Sequence, residues 1–392
     1  MYEAFPDNYG WSLTTMAALN MGAAIGEVDE VCRALRPVSA RRDSVAAEHW
    51  YESWTRMGER LERLARVDDD RGYEVSACRK WLRAAIYFFL AERHISRRSA
   101  RRMQAYRRAL KAFRRHVDLS DVPVEFVEVP YGESALPSLF VPALGEAEKA
   151  PCMIHFNGLD FTKEFVYLHQ GFDLRKRGVS LLICDHPGVG EALRLRNLTA
   201  SPETEVPAAA CVDYLEQRGD VDPDRIGIMA LSMGGYYAPR AAAFEKRLKC
   251  CVVWGAIWDL EACLVNCTTE GTESVSFDDQ LSWVFGIADR DQLWDMIRRF
   301  NLDGIAERIE CPLLVVHGEN DRQAPLWTAE LTYDRAVNST RRELKVFTLD
   351  EGGAEHCSLD NSSICVDYMH DWIADILSSP VATEQEEVAE PA

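Results

Sequence analysis

Up to about Leu119 the apolar side chains recur at helical spacing. Trp50, Trp54, Met57, Leu61 and Leu64 form one series; Trp81, Leu82, Ala85, Ile86, Phe89 and Leu90 form a second. Met103, Tyr106, Leu110 and Phe113 form a third. Steps of three and four residues put each series on one helix face. A helical region of roughly five helices is predicted over residues 1–120.

From Val124 the pattern changes. Val124-Glu-Phe-Val-Glu-Val129 alternates, and Leu136 to Val141 follows a turn at Tyr131-Gly-Glu-Ser134. That predicts an antiparallel hairpin. Six short apolar runs come next: Cys152–Phe156, Ser180–Cys184, Arg225–Leu231, Cys250–Gly255, Pro312–His317 and Leu344–Leu349. Helical stretches separate them. Continuous apolar runs suit strands covered on both faces, and the helices between them supply the crossovers of a parallel sheet. The expected fold is α/β over residues 121–377, with two antiparallel leading strands and six parallel ones, eight in all. Asp259 to Ile309 is too long for a simple connection and has helical patterns at Leu281–Phe285 and Leu293–Phe300. An insertion at about 259–309 is expected to form a lid over the strand ends. Ser378 to Ala392 is small, acidic and proline-containing, so a disordered tail is expected there.

Charge narrows the partners. The net charge of −19 argues against nucleic acid, which needs a basic surface. Residues 1–120 carry 22 Lys and Arg against 16 Asp and Glu, so the acidity lies in the rest of the chain. Nine basic residues and no acid lie between Arg97 and Arg115; that face is expected to meet the acidic body, a second subunit or solvent. The longest apolar runs, Ala84–Ala91 and Cys250–Trp258, fall well short of the ~20 residues that span a bilayer. The opening MYEAFPDNYGW has no basic stretch followed by an apolar one. Twelve cysteines without CxxC pairing read as free thiols in a reducing cytoplasm, and the spacing of a zinc site is missing. No GxxxxGK[ST] loop occurs, and neither a cofactor nor a metal is implied.

The chemistry gathers at strand ends. Ala230-Leu-Ser232-Met-Gly-Gly235 follows one apolar run and precedes a helical stretch, the setting of a nucleophile elbow. Ala230 stands where the usual first glycine would be. A serine hydroxyl needs a base, and the base an orienting acid. In such folds the chain order is serine, acid, histidine. Asp321 follows the seventh run, with Glu319 as fallback, and His356 follows the eighth. Oxyanion donors are expected from the Met233 N–H and, in the loop after the third strand, from the Leu159 N–H. His317 reads as a strand-end residue. His49, His94 and His116 read as structural or exposed. Trp81, Tyr87 and Tyr106 are candidates for the pocket wall, with core packing as the alternative.

From Val124 to Leu377 the pattern resembles the α/β-hydrolase fold family. Asn157-Gly-Leu-Asp160-Phe-Thr-Lys163-Glu164, the Asp185-His-Pro-Gly-Val-Gly-Glu191 turn and the tryptophan-rich helical start resemble a narrower subgroup. It includes 2,6-dihydroxypseudooxynicotine hydrolase and the fungal polyketide-shortening hydrolases of the yellowish-green pigment type. The resemblance implies carbon–carbon bond hydrolysis of a small acyl-aromatic or β-dicarbonyl compound. It also implies an active site covered by the N-terminal helices, a homodimer, and an auxiliary carboxylate at Asp259 or Glu261, with a structural helix cap as the equal alternative for Asp259. A carboxylesterase or thioesterase would use the same residues.

Overall fold

The computed structural model describes residues 1–145, 147–159, 161–170, 173–269 and 277–378. The expected tail, all but Ser378, lies outside the described residues, as do Asp160 and residues 270–276 of the insertion.

Five α-helices come first: α1 (Tyr9–Asn20), α2 (Ile25–Leu35), α3 (Ser44–Asp70), α4 (Glu74–Arg93) and α5 (Ala100–Asp118). Two starts are capped by side chains that satisfy free N–H groups. Asn8 accepts from Trp11 N, and Asp43 from Ala46 N. Eight strands follow: β1 (Glu125–Tyr131), β2 (Ser134–Val141), β3 (Ala150–Phe156), β4 (Ser180–Cys184), β5 (Val221–Leu231), β6 (Cys251–Trp254), β7 (Leu313–Gly318) and β8 (Arg342–Phe347).

The strands form one sheet in the order β1-β2-β4-β3-β5-β6-β7-β8. The leading pair is the expected hairpin, with Val129 opposite Leu136. β2 also pairs antiparallel with β4, so it alone runs against the other strands. Helices α6 (Lys163–Gln170) and α7 (Asp173–Lys176) follow β3; α8 (Gly190–Arg196) and α9 (Glu205–Glu216) follow β4; α10 (Gly234–Phe244) follows β5. The insertion holds α11 (Leu260–Thr269), α12 (Phe277–Val284) and α13 (Arg290–Ile297), after which come α14 (Leu326–Arg335) and α15 (Ser362–Ser378).

Side chains alternate across the sheet, so each apolar run feeds two cores. Cys152, Ile154, Phe156, Ile228 and Ala230 pack with α9, α10 and the insertion. Met153, Ile183, Met229, Leu231 and Trp254 pack on the other side, in one continuous cluster with Trp50, Trp54, Phe88, Phe89 and Phe113. The helices pack on one another, Trp50 on Trp54 at 5.6 Å and Trp54 on Tyr87 at 5.5 Å between ring centres, and that packing runs on unbroken into the sheet face. Phe89 meets Phe165 of α6 at 5.1 Å between ring centres, and Phe113 meets Tyr167 at 5.5 Å.

The basic face of α5 finds its partners inside the chain. Arg108 reaches Glu59 and Glu62 on α3 at 2.7 and 2.6 Å, and Arg115 reaches Asp69 at 3.0 Å. Just before α5, Arg97 pairs with Asp279 of α12 at 3.0 Å. All twelve cysteines are free. Among the described residues no helix is long and apolar enough to cross a membrane.

Candidate active site

Ser232 lies between the end of β5 and α10 with φ +57°, the left-handed region that few non-glycine residues adopt. The turn closes tightly because its neighbours are small. A Cβ on Gly235 would stand 2.1 Å from the Gly255 carbonyl oxygen. A Cβ on Gly234 would stand 2.6 Å from the Ala230 methyl, so a glycine at 234 is what leaves room for alanine at 230.

Ser232 Oγ is 2.7 Å from His356 Nε2, and His356 Nδ1 is 2.8 Å from Asp321 Oδ2. A carboxylate only accepts, so Nδ1 carries the proton and Nε2 is free to accept from the serine. The other Asp321 oxygen accepts from Gln323 N at 2.8 Å and Ala324 N at 2.9 Å, which fixes the carboxylate. Burial opposes the imidazolium, but the Asp321 charge outweighs it and holds His356 well above its ordinary value. Burial would raise Asp321, and His356 overrides that in turn and holds it low.

Each loop is anchored. The Asp360 carboxylate accepts from Gly353 N, Ala354 N and Glu355 N at 3.0, 3.2 and 3.0 Å, shaping the approach to His356. Glu355 accepts from Asn320 Nδ2 at 2.8 Å and from Tyr9 OH at 3.3 Å, which ties the acid loop, the histidine loop and α1 together.

The loop after β3 presses on the nucleophile. A Cβ on Gly158 would lie 2.7 Å from Ser232 Cβ. Leu159 and Met233 both line the space beside Ser232. Asp185, just past β4, clamps this loop. Its Oδ1 accepts from Lys163 N at 2.8 Å and Asn157 Nδ2 at 3.3 Å; its Oδ2 accepts from Lys163 Nζ at 3.0 Å and Glu191 N at 2.8 Å. Lys163 Nζ also meets Glu164 at 2.7 Å and Glu191 at 2.5 Å. Glu164, Asp185 and Glu191 are the one group of carboxylates among the described residues close enough to share a metal ion. A lysine ammonium stands among them, so the site already has its cation. Burial raises Glu164, and the same cluster raises Lys163 despite its burial. Gly190 has φ +48°, and a Cβ there would fall 2.0 Å from the Asp185 carboxylate.

The remaining candidates stand elsewhere. Asp259 caps α11, accepting from Ala262 N at 2.9 Å and Asn301 Nδ2 at 2.8 Å. Glu261 points to Arg298 at 3.0 Å. Neither lines the space at Ser232. Trp81, Tyr87 and Tyr106 do not line it either; they take the packing alternative. Trp81 donates to Asp69 and Tyr87 to Glu27, while Tyr106 packs on Phe89. Glu319 accepts from Leu349 N. His317 accepts from Ala256 N and meets the Ala324 carbonyl, a strand-end role. Sequence reasoning missed His94. It follows α4 and lines the cavity with Thr14, its Nε2 3.3 Å from Thr14 Oγ1. Only the contact between layers reveals it. Lys163, Glu164, Asp185 and Glu191 were visible as motif positions, but their convergence was not.

An eight-stranded sheet with a serine elbow, and with acid and histidine loops on later strands, defines the α/β-hydrolase class. The comparisons agree. Residues 188–379 match the prolyl oligopeptidase family. An alpha/beta hydrolase of Penicillium citrinum is 30% identical over 227 residues, covering 55% of this chain and 53% of that protein. The matched stretch therefore spans about half the length of that relative. The 20-hydroxy-prefusarin hydrolase of Gibberella moniliformis is 24% identical over 83% of this chain and 87% of its own. The solved 2,6-dihydroxy-pseudo-oxynicotine hydrolase superposes with a TM-score of 0.75 at 21% identity, over 92% of this chain and 95% of that one. The chain shares the α/β-hydrolase fold with these proteins.

Proposed function

We propose that the protein is a serine hydrolase that cleaves a carbon–carbon bond of a small acyl-aromatic or polyketide-like ketone. The observation that carries this reading is the hydrogen-bonded series Ser232–His356–Asp321 at the floor of a cavity roofed by the N-terminal helices. Ser232 Oγ attacks the ketone carbon and gives its proton to His356 Nε2. The N–H groups of Met233 and Leu159 hold the oxyanion. Collapse breaks the carbon–carbon bond when the departing carbon can bear charge as an enolate or an electron-rich ring. Among the described residues that line the cavity none is a carboxylate, so His356 returns its proton to that carbon. Water, activated by His356, then releases the acyl group from Ser232.

The bond type rests on the subgroup resemblance and on relatives named as hydrolases of 20-hydroxy-prefusarin and of 2,6-dihydroxy-pseudo-oxynicotine. The remaining elements of the reading are a homodimer in the cytoplasm, no cofactor, and a small molecule as the substrate. The test is a mass-spectrometric product assay on the wild type and Ser232→Ala. Hydroxylated aryl ketones and β-diketones form one set, p-nitrophenyl esters and thioesters the other. Serine-dependent splitting of a ketone into an acid and a shortened arene or ketone is expected, with the variant slower by about 10⁵–10⁶-fold. Rapid ester turnover with every ketone intact would make the protein an esterase.

A further inference from the structure

Ser232 and His356 line two adjoining cavities. The larger, about 110 Å³, lies under the helical layer, and Thr14, His94, His169 and Gln323 are among its walls. Both ring nitrogens of His169 are buried, with no hydrogen-bond partner among the described residues. Burial pushes this histidine down to about 4, so it stays neutral and offers one donor and one acceptor. A buried polar group left unpaired is costly, and such groups on a cavity wall mark where a ligand's own polar atoms belong.

The smaller cavity, about 60 Å³, lies under the insertion. Met233, Ile257, Leu260, Cys263, Leu264 and Leu281 wall it. Leu260, Cys263 and Leu264 sit at the i, i+3, i+4 positions of α11, so one helix face supplies half of these. Its hydrogen-bonding side chains are Ser232, Gln323 and His356, all shared with the larger cavity, so among the described residues the wall on α11 offers water none of the two to four polar partners it needs. An apolar group gains by entering it, by about fourfold in kcat/KM per methylene.

We infer that the substrate straddles Ser232, with an oxygen-bearing half in the larger cavity and a short apolar half against α11 in the smaller one. This rests on Ser232 as the nucleophile of the proposed reaction. The specificity-determining positions are Leu260, Cys263 and Leu264.

The test uses the full chain and two ester series. In one the acyl chain grows from acetyl to octanoyl on a fixed p-nitrophenyl group. In the other the acyl group stays acetyl and the alkyl alcohol lengthens. In the wild type one series should rise about fourfold per methylene over its first members and then level off. Leu264→Trp, which fills the smaller cavity, should flatten that series and leave the slope of the other series as in the wild type. Leu264→Ala should move the plateau to longer chains, and it reads the same cavity if the tryptophan variant fails to fold. Wild-type length profiles in both variants, or equal losses in both series, would overturn the inference. Ser232→Ala run alongside separates the two failures: turnover that survives it sinks the proposed reaction, whereas unchanged profiles with serine-dependent turnover sink only the two-cavity assignment.

Discussion

His356 is held between opposing influences. Burial favours its neutral form, and the Asp321 carboxylate at 2.8 Å favours the charged one and prevails. The neutral form is the base, so activity requires loss of that proton. The acid limb of kcat/KM should therefore lie above the ordinary imidazole value near 6.5, with the rate rising as pH rises. Asp321→Asn removes the charge and should bring the limb down while lowering the rate by about 10²–10⁴-fold. A limb that stays in place in that variant would mean another group titrates. This trio was legible in the sequence because each member closes an apolar run. Asp259 was ambiguous there for a physical reason. A carboxylate two residues before a helix's second residue serves a cap as well as a reaction, and only the bonds to Ala262 and Asn301 decide.

At the scale of elements, α6 begins on Lys163, whose ammonium reaches three carboxylates. Removing a cation from such a buried set leaves uncompensated charge, at about 3–5 kcal/mol. Lys163→Met should lower stability by that amount in guanidinium unfolding. The fraction that remains folded should also turn over more slowly, because the loop carrying Gly158 and Leu159 loses one of its anchors on Asp185. A loss below about 1 kcal/mol would show that the cluster relaxes around the gap. The strands were readable to within two residues, except that β5 begins four residues before its apolar run, since burial on both faces makes unbroken apolar runs. The pairing of α5 with α3 was not, because a basic helix face looks alike whether it meets solvent or glutamates.

Across the whole molecule, the helical region and one sheet face share a single apolar cluster. Cooperative units follow such contacts. Calorimetry should give one unfolding transition, with tryptophan fluorescence from Trp50 and Trp54 changing together with backbone circular dichroism. Two separated transitions would mean the helices fold on their own. The sequence suggested a boundary near residue 120 because the period of the pattern changes there; periodicity reports the local element and is blind to which surface covers it.

The roof over the larger cavity joins Gly10, Leu13 and Thr14 of α1 to residues that the ribosome adds more than three hundred positions later, His356, Cys357 and Leu359. During synthesis the aromatic faces of α4 and α5 likewise emerge before α6, whose Phe165 and Tyr167 cover Phe89 and Phe113. For that interval the nascent chain exposes Phe89 and Phe113 to whatever else is apolar, so the pocket's roof is synthesised first and closed last.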